Sequence, residues 1–308
     1  MLISHAFLGL FAGHVCKIVH NRQHMTNSSS TFHHHDETNA QDARTPQEEI
    51  ARDPLFVGSV EKALRVLHAF SGEKSELGLT EIAQRTGLSK SGAQRFCHTL
   101  VSLGYLLRDE RSRLLKPSPK LLEFSFSFLA SDPLSSIAAP FLLQAREQSG
   151  EAVNLALPHG LDVIYITRLP SLNSQLANPP IGGRAPMFCT SSGRAYLSAN
   201  TQDTALSILE RSNLKSITPH TITDIDQIAS LIEQARIDGF ASAIQECING
   251  EMTVGAPIFG RSGKVVAAMN ICVYGKTWTQ ERLRETLAPI VMKTATEISQ
   301  ALATSPQT

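Results

Sequence analysis

An α+β fold in two unlike parts is what this 308-residue sequence predicts. Three observations carry that expectation. A short amphipathic run, a glycine and a longer amphipathic run stand together around residue 87. Two short apolar runs about a polar tip follow them. From Pro133 onward, alternating apolar segments of strand type interleave with helical ones, the pattern of a largely antiparallel sheet flanked by helices.

The first part is organised around residues 79–108, LTEIAQRTGLSKSGAQRFCHTLVSLGYLLR. Thr80 is read as an N-cap, with Ile82 and Ala83 as the apolar contacts of the run that ends at Thr86. Gly87 supplies a turn at which a helix stops. Ser89 caps a second run in which Ala93, Phe96, Cys97, Leu100 and Leu103 share one face. Short helix, glycine turn and longer helix make a helix-turn-helix. On the opposite face stand Lys90, Ser91, Gln94, Arg95 and His98, the polar set a helix needs to lay its first turns against base edges. After Gly104, the runs Tyr105–Arg108 and Arg113–Lys116 predict a β-hairpin, the wing of a winged helix. Arg111 and Arg113 sit at its tip, placed to reach phosphates. Residues 84–120 hold eight Lys/Arg against two Asp/Glu, while the whole chain has net charge zero. A basic patch confined to one recognition unit is the footprint of nucleic-acid binding. Upstream, Ser59 is expected to cap a helix whose stripe Val60, Ala63, Leu64, Leu67 and Phe70 covers this core.

Composition bounds the rest. Hydrophobic content of 42% suffices for packed cores in two domains. No apolar run approaches the ~20 residues of a membrane span. Residues 6–16 are apolar, but no Lys or Arg precedes them, so a secretory signal is not expected. Five cysteines at 16, 97, 189, 247 and 272, without CxxC spacing, fit buried thiols in a reducing cytoplasm. Residues 21–54 are Ser/Asn/Thr-rich and aperiodic, which predicts disorder, and His33-His34-His35 is read as part of that tail and not as a metal site. Met25 is a candidate start. The expected division is a tail over 1–54, a DNA-binding domain over 55–117, a linker helix over 118–132 and a second domain over 133–308. The linker LLEFSFSFLA is apolar enough to pair with a second copy or to pack on either domain.

In the second domain, LSSIAAPFLLQAREQSG predicts a helix, and AVNLALP and DVIYITRL a hairpin turning at His159-Gly160-Leu161. NPPIGGRAP reads as a loop, and MFCTSSGRAYLS as a strand-like start leading to a helix capped by Ser191 or Ser192. Helices are expected at 202–212 and 224–238, strands at GFASAIQ, MTVGAPIF and KVVAAMNICV, and one closing helix from Thr279 to Leu302.

GSVEKALRVLHAF, LTEIAQRTGLSKSGAQRFCHTLVSLGYL, GEAVNLAL, VIYITRLPS, GRAPMFCTSSGRAYLS and GFASAIQECINGEMTVGAPIF, in that order and spacing, resemble the IclR family of bacterial transcription regulators over residues 55–303. The resemblance implies an N-terminal winged helix, a linking helix and a C-terminal GAF-like α/β domain that binds a small metabolite. It also implies dimers, often paired into tetramers, on palindromic double-stranded operators. The DNA contacts then fall on Thr80, Ser89, Lys90, Ser91, Gln94, Arg95, Arg111 and Arg113. Carried over by position, the effector contacts fall on Ser191, Ser192, Gly193, Thr253, Asn270 and Cys272, with the amides at the start of the Gly193 helix available to a carboxylate. Small polar residues there suit an organic or aromatic acid. Two positions depart from the family pattern. Ala243 stands where many members have an acid, and Gly92 in the recognition helix costs about 1 kcal/mol of helix propensity.

Catalytic and metal readings find no support in the sequence, and no cofactor is expected. GxSxG, GxGxxG, Walker and zinc spacings are lacking. Cys189 and Cys247 have no neighbouring His, and His159 and His220 fall in turns. The competing reading is a small-molecule enzyme or ligand sensor whose winged helix contacts protein instead of DNA.

Overall fold

The computed structural model describes residues 53–71, 74–172, 181–275 and 277–305. The expectations for residues 1–52, including the histidine triplet, lie outside the described residues. Two compact units divide between Glu123 and Phe124.

The first unit opens with α1 (Gly58–His68), followed by α2 (Leu79–Thr86) and α3 (Lys90–Ser102). Gly87 takes the left-handed conformation at φ 66°, ending α2, and Ser89 Oγ accepts the Gly92 amide at 3.1 Å, starting α3. Two expected caps are corrected. Val57, not Ser59, precedes α1, and Gly78, not Thr80, precedes α2; neither position supplies a side-chain cap. Thr80 and Ser59 therefore lie inside the first turns. The core gathers Val66, Phe70, Leu77, Ile82, Ala93, Cys97 and Leu100. Val60 and Leu64 instead stay half exposed, so the buried face of α1 is rotated toward Val66. Leu103, beyond the end of α3, is also exposed. Buried among apolar side chains, the Cys97 thiol is pushed up to about 11.

The wing forms as expected from β1 (Leu106–Arg108) and β2 (Leu115–Pro117), antiparallel with Leu107 opposite Lys116. Leu77 adds a third short edge, exchanging backbone hydrogen bonds of 2.9 Å with Leu115. Arg65 and Arg85 tie the helices together: Arg65 donates to the Thr86 carbonyl at 3.0 Å and Arg85 to that of Ala69 at 2.9 Å. The connecting helix α4 (Leu122–Ser131) buries none of its residues, and Leu122, Phe124, Phe126 and Phe128 are all exposed.

The second unit is a six-stranded sheet with every pairing antiparallel. Its strands are β3 (Ala152–His159), β4 (Asp162–Leu169), β5 (Arg184–Pro186), β6 (Ala241–Ile244), β7 (Glu251–Phe259) and β8 (Val265–Tyr274), in the order β5-β4-β3-β8-β7-β6. Among the described residues six α-helices follow α4, the first five being α5 (Pro133–Ser149), α6 (Ser191–Ser198), α7 (Gln202–Arg211), α8 (Ile225–Asp238) and α9 (Gln280–Thr286). The last is α10 (Ala288–Thr304). Alternation along the strands divides the sheet into two faces. Val153, Leu155, Met252, Val254, Met269, Ile271 and Val273 fill one, against Leu142 of α5 and Val291 and Ile298 of α10. The other face carries Asn154, Thr253, Asn270 and Cys272, and α6 covers it.

Three expectations for this unit are corrected. Met187–Cys189 forms a 3₁₀ turn instead of a strand, and the extended residues are Arg184–Pro186, within the expected loop. Thr190, not Ser191 or Ser192, caps α6, its hydroxyl accepting the Gly193 amide at 3.1 Å. The single closing helix is broken between α9 and α10, where Pro289 starts the second piece because it has no amide to continue the first.

The largest fully buried side chain is Arg194 of α6. Its guanidinium meets the Glu246 carboxylate in two bonds of 2.6 and 2.7 Å and donates to the carbonyls of Phe188 and Ser242 at 2.9 and 3.1 Å. Glu246 also accepts the Ile222 amide, while Thr218 and Thr221 donate to the backbone carbonyls of Gln245 and Glu246 at 2.7 and 2.6 Å. Removing one partner of such a pair leaves a buried charge uncompensated, so Arg194→Ala should cost about 3–5 kcal/mol. A urea unfolding midpoint close to wild type would show that the pair does not hold this unit together.

Candidate nucleic-acid interface and ligand cavity

Lys90, Ser91, Gln94, Arg95 and His98 are all exposed along one face of α3. Their backbone is fixed from beneath by Ala93, Cys97 and Leu100, which are buried. At the wing tip, Asp109 accepts the Arg111 amide at 3.0 Å and the Ser112 amide at 2.6 Å. Those bonds, with the Ser112 hydroxyl, hold the Asp109 carboxyl below its ordinary range. The tight turn puts Arg113 at φ 61°, a strained backbone for a residue with a Cβ. The basic residues then sort by partner. Arg85 is paired with Glu81, Lys116 with Glu76, and Lys120 reaches the Leu103 carbonyl over the Tyr105 ring. Lys90, Arg95, Arg111 and Arg113 make no ion pair among the described residues, so their charge is free to meet phosphate or guanine. Thr80 is likewise exposed, in the first turn of α2.

In the second unit, a cleft of about 370 Å³, counting space open to solvent, lies on the polar face of the sheet. Tyr165, Arg168, Thr190, Glu251, Thr253, Asn270 and Cys272 are among its lining residues. Of the residues expected from the sequence, Thr253, Asn270 and Cys272 come together here. Ser191, Ser192 and Gly193 are fully buried behind the wall at the start of α6, and none of them lines the cleft. The Gly193 amide is already bonded to Thr190, so it does not offer itself to a carboxylate. Glycine is required there by packing: a Cβ would stand 2.3 Å from the Met187 Cα. Ser191 stays linked to the lining, since Asn270 Nδ2 donates to its Oγ at 3.5 Å. Asn154, across the strands, donates to Asn270 Oδ1 and to the Cys272 sulfur, each at 3.1 Å.

Sequence reasoning missed Arg168. It pairs with Asn154 across β3 and β4, and its guanidinium lies 4.0 Å from the centre of the Tyr165 ring. Its Nε and Nη1 are buried with no hydrogen-bond partner among the described residues, an arrangement that costs free energy unless an acceptor is bound. Strict alternation from Tyr165 would turn Arg168 to the opposite face, and the register shift at Leu155 and Ala156 brings it beside Asn154 instead, which no local pattern shows. Glu251, at the same cleft, receives the Tyr274 hydroxyl at 2.6 Å. Burial pushes its carboxyl above the ordinary value, against the opposing effects of Tyr274 and Arg168. A second groove, lined by Pro257, Met292 and Ser299 among others, contains none of the orphaned buried polar atoms.

Comparison with known proteins gives matches over both units. A family model described as "Bacterial transcriptional regulator IclR C-terminal" matches residues 126–300, and one described as "IclR helix-turn-helix domain" matches residues 59–110. The Pca regulon regulatory protein of Pseudomonas putida is 32% identical over 251 residues, covering 81% of this chain and 86% of that protein. The p-hydroxybenzoate hydroxylase transcriptional activator of Acinetobacter baylyi is 28% identical over 256 residues, covering 82% and 93%. A transcriptional regulator from Alicyclobacillus acidocaldarius superposes with a TM-score of 0.70 at 25% identity, over 80% of this chain and 98% of the other.

Two measurements test these sites. Arg95→Ala should cost about 1–3 kcal/mol on a duplex from the chain's own upstream region and relax its specificity, if Arg95 reads a guanine. Arg111→Ala should weaken all duplexes alike and flatten the salt dependence by about one unit per subunit. Unchanged affinity in both would remove α3 and the wing from the interface. For Glu251, the folded state retains a proton that the unfolded chain releases near 4.5. Stability should therefore fall as pH rises from that value through the raised one, and Glu251→Gln should flatten the decline in thermal melts. Identical slopes in the two proteins would contradict the burial of this carboxyl.

Proposed function

From the premise that this chain belongs to the IclR family of bacterial transcriptional regulators, we propose that a small organic acid, of the aromatic carboxylic class, governs its binding to operator DNA. The acid occupies the cleft on the polar face of the sheet. One observation carries this reading: Arg168 presents two buried, unpartnered guanidinium nitrogens in the lining of that cleft. A carboxylate accepts a charge-assisted bond from such a guanidinium nitrogen and offsets part of the cost of its burial. Thr253, Asn270 and Cys272 then meet the uncharged part of the ligand, with Ser191 acting through Asn270. The relative named for activation of p-hydroxybenzoate hydroxylase supports an aromatic acid.

On the DNA side, α3 lies in the major groove with Ser89, Lys90, Ser91, Gln94 and Arg95 toward bases and phosphates, and Arg111 and Arg113 reach the flanking backbone. Two copies act on a palindromic site, with recognition helices about 34 Å apart. The exposed apolar residues Leu122, Phe124, Phe126 and Phe128 of α4 fit a contact between copies, and dimers pair further into tetramers. The ligand changes DNA affinity by binding the competent and incompetent arrangements unequally.

Calorimetry with p-hydroxybenzoate and its neutral amide tests the anchor. The acid should bind and the amide should not, and Arg168→Gln should weaken the acid by about 1.5–3 kcal/mol, the worth of hydrogen bonds to a charged group. Equal binding of acid and amide, or an unaffected Arg168→Gln variant, would displace the carboxylate from Arg168.

A further inference from the structure

Cys189 and Cys247 are 58 positions apart in the chain, yet their sulfurs lie 3.2 Å from one another, and both residues line the cleft. Cys189 ends the 3₁₀ turn before α6 and is fully buried; Cys247 lies between β6 and β7 and keeps partial exposure. The Cys247 thiol also donates to the Cys189 carbonyl at 3.2 Å. Neither sulfur is placed by chance packing of a loose loop. Thr190, next to Cys189, caps α6, and Glu246, next to Cys247, is gripped by Arg194. The two walls that carry the thiols are thus fixed by a buried ion pair and a helix cap.

We propose that Cys189 and Cys247 are a modification site, oxidised by a hydroperoxide that enters the cleft to a reversible disulfide fastening one wall of the cavity. The reaction balances in two steps. The more accessible Cys247 sulfur attacks the peroxide oxygen, the O–O bond breaks, and a sulfenic acid and an alcohol (or water) form. The Cys189 sulfur then attacks the Cys247 sulfur, displacing the hydroxyl, which leaves as water with the Cys189 proton. Two sulfurs lose two electrons in all, and the peroxide gains them. Their approach is short, because a disulfide needs the sulfurs at about 2.05 Å. Their mutual hydrogen bond, then burial, push the Cys247 thiol well above its ordinary pKa. Little thiolate is present at neutrality, so brief or dilute oxidant leaves the pair reduced and sustained oxidant closes it. Disulfides in reducing compartments are of this transient, sensing kind. Of the other described cysteines, Cys97 belongs to the first unit, and the Cys272 sulfur is engaged by Asn154 and Asn270.

The effect on the effector rests on the cleft being its site, but the cross-link itself does not. Full-length protein would be treated with hydrogen peroxide, alkylated without reductant, digested and weighed. The expected product is a Cys189–Cys247 peptide pair lighter by two hydrogens, restored by dithiothreitol, with Cys97 and Cys272 alkylated. Oxidised protein should bind p-hydroxybenzoate about tenfold more weakly, a coupling of ordinary allosteric size. In Cys247→Ser, whatever its starting affinity, peroxide should no longer change it. Oxidation of Cys247 to the sulfinic acid without a cross-link, or a link to Cys272, would overturn the site. A cross-link that leaves affinity unchanged would overturn its control of the cleft. A reduced protein that binds no p-hydroxybenzoate would contradict the effector reading, and the mass would still decide the disulfide.

Discussion

Arg194 and Glu246 form the contact on which the second unit depends. At 1% and 4% exposure, neither charge has water to fall back on, and each must find every partner within the protein. Arg194 does so by holding the Phe188 carbonyl before α6, the Ser242 carbonyl in β6 and both oxygens of Glu246. Glu246 in turn fixes Ile222 ahead of α8. One ion pair therefore ties together the turn, the helix, the edge of the sheet and the segment that leads to β7. Gln245 pays with a left-handed backbone at φ 58°, kept in place by the Thr218 and Thr221 hydroxyls on the neighbouring carbonyls. Gly193, one residue before Arg194, lets α6 approach Met187 closely enough for the guanidinium to arrive.

With α6 fixed, the sheet acquires its two characters. One face is apolar and is sealed by α5 and α10. The other is polar and is covered by a helix that stops short of sealing it. Asn154 donates to Asn270 across β3 and β8 but leaves its own Oδ1 without a partner, and Arg168 remains with two buried nitrogens to satisfy. An unsatisfied buried cation in a cleft is a standing preference for an anion, and the proposed sensing rests on that preference. The first unit needs no such device. Its exposed basic face keeps unpaired charge because Arg65 and Arg85 are consumed in holding helices together, while Lys90, Arg95, Arg111 and Arg113 are not.

Much of this was legible in the sequence, for definite reasons. Period and turn chemistry found α2, the Gly87 turn, α3 with its Ser89 cap, and the wing, since these depend on neighbours within about a dozen residues. Adjacent cap candidates were harder: Thr190, Ser191 and Ser192 all carry the necessary oxygen, and only the packing of Gly193 on Met187 selects Thr190. Val57 and Gly78 start helices without a capping side chain, so Ser59 and Thr80 each drew the assignment two residues too far. The stripe on α1 was rotated because Val60 and Leu64 are exposed, which helical period alone does not reveal. Arg168 and the Cys189–Cys247 contact were invisible for another reason. Both arise between strands or segments far apart in the chain, and no local pattern marks them.

A titration of full-length protein onto an upstream operator duplex, with and without p-hydroxybenzoate, tests the central claim most directly when it is run beside the Thr253→Ala/Asn270→Ala double variant. The account predicts that the acid shifts the operator affinity of the wild type, whereas the variant binds DNA with ligand-free strength and does not respond. A variant that responds like the wild type, or a wild type indifferent to aromatic carboxylates, would contradict it.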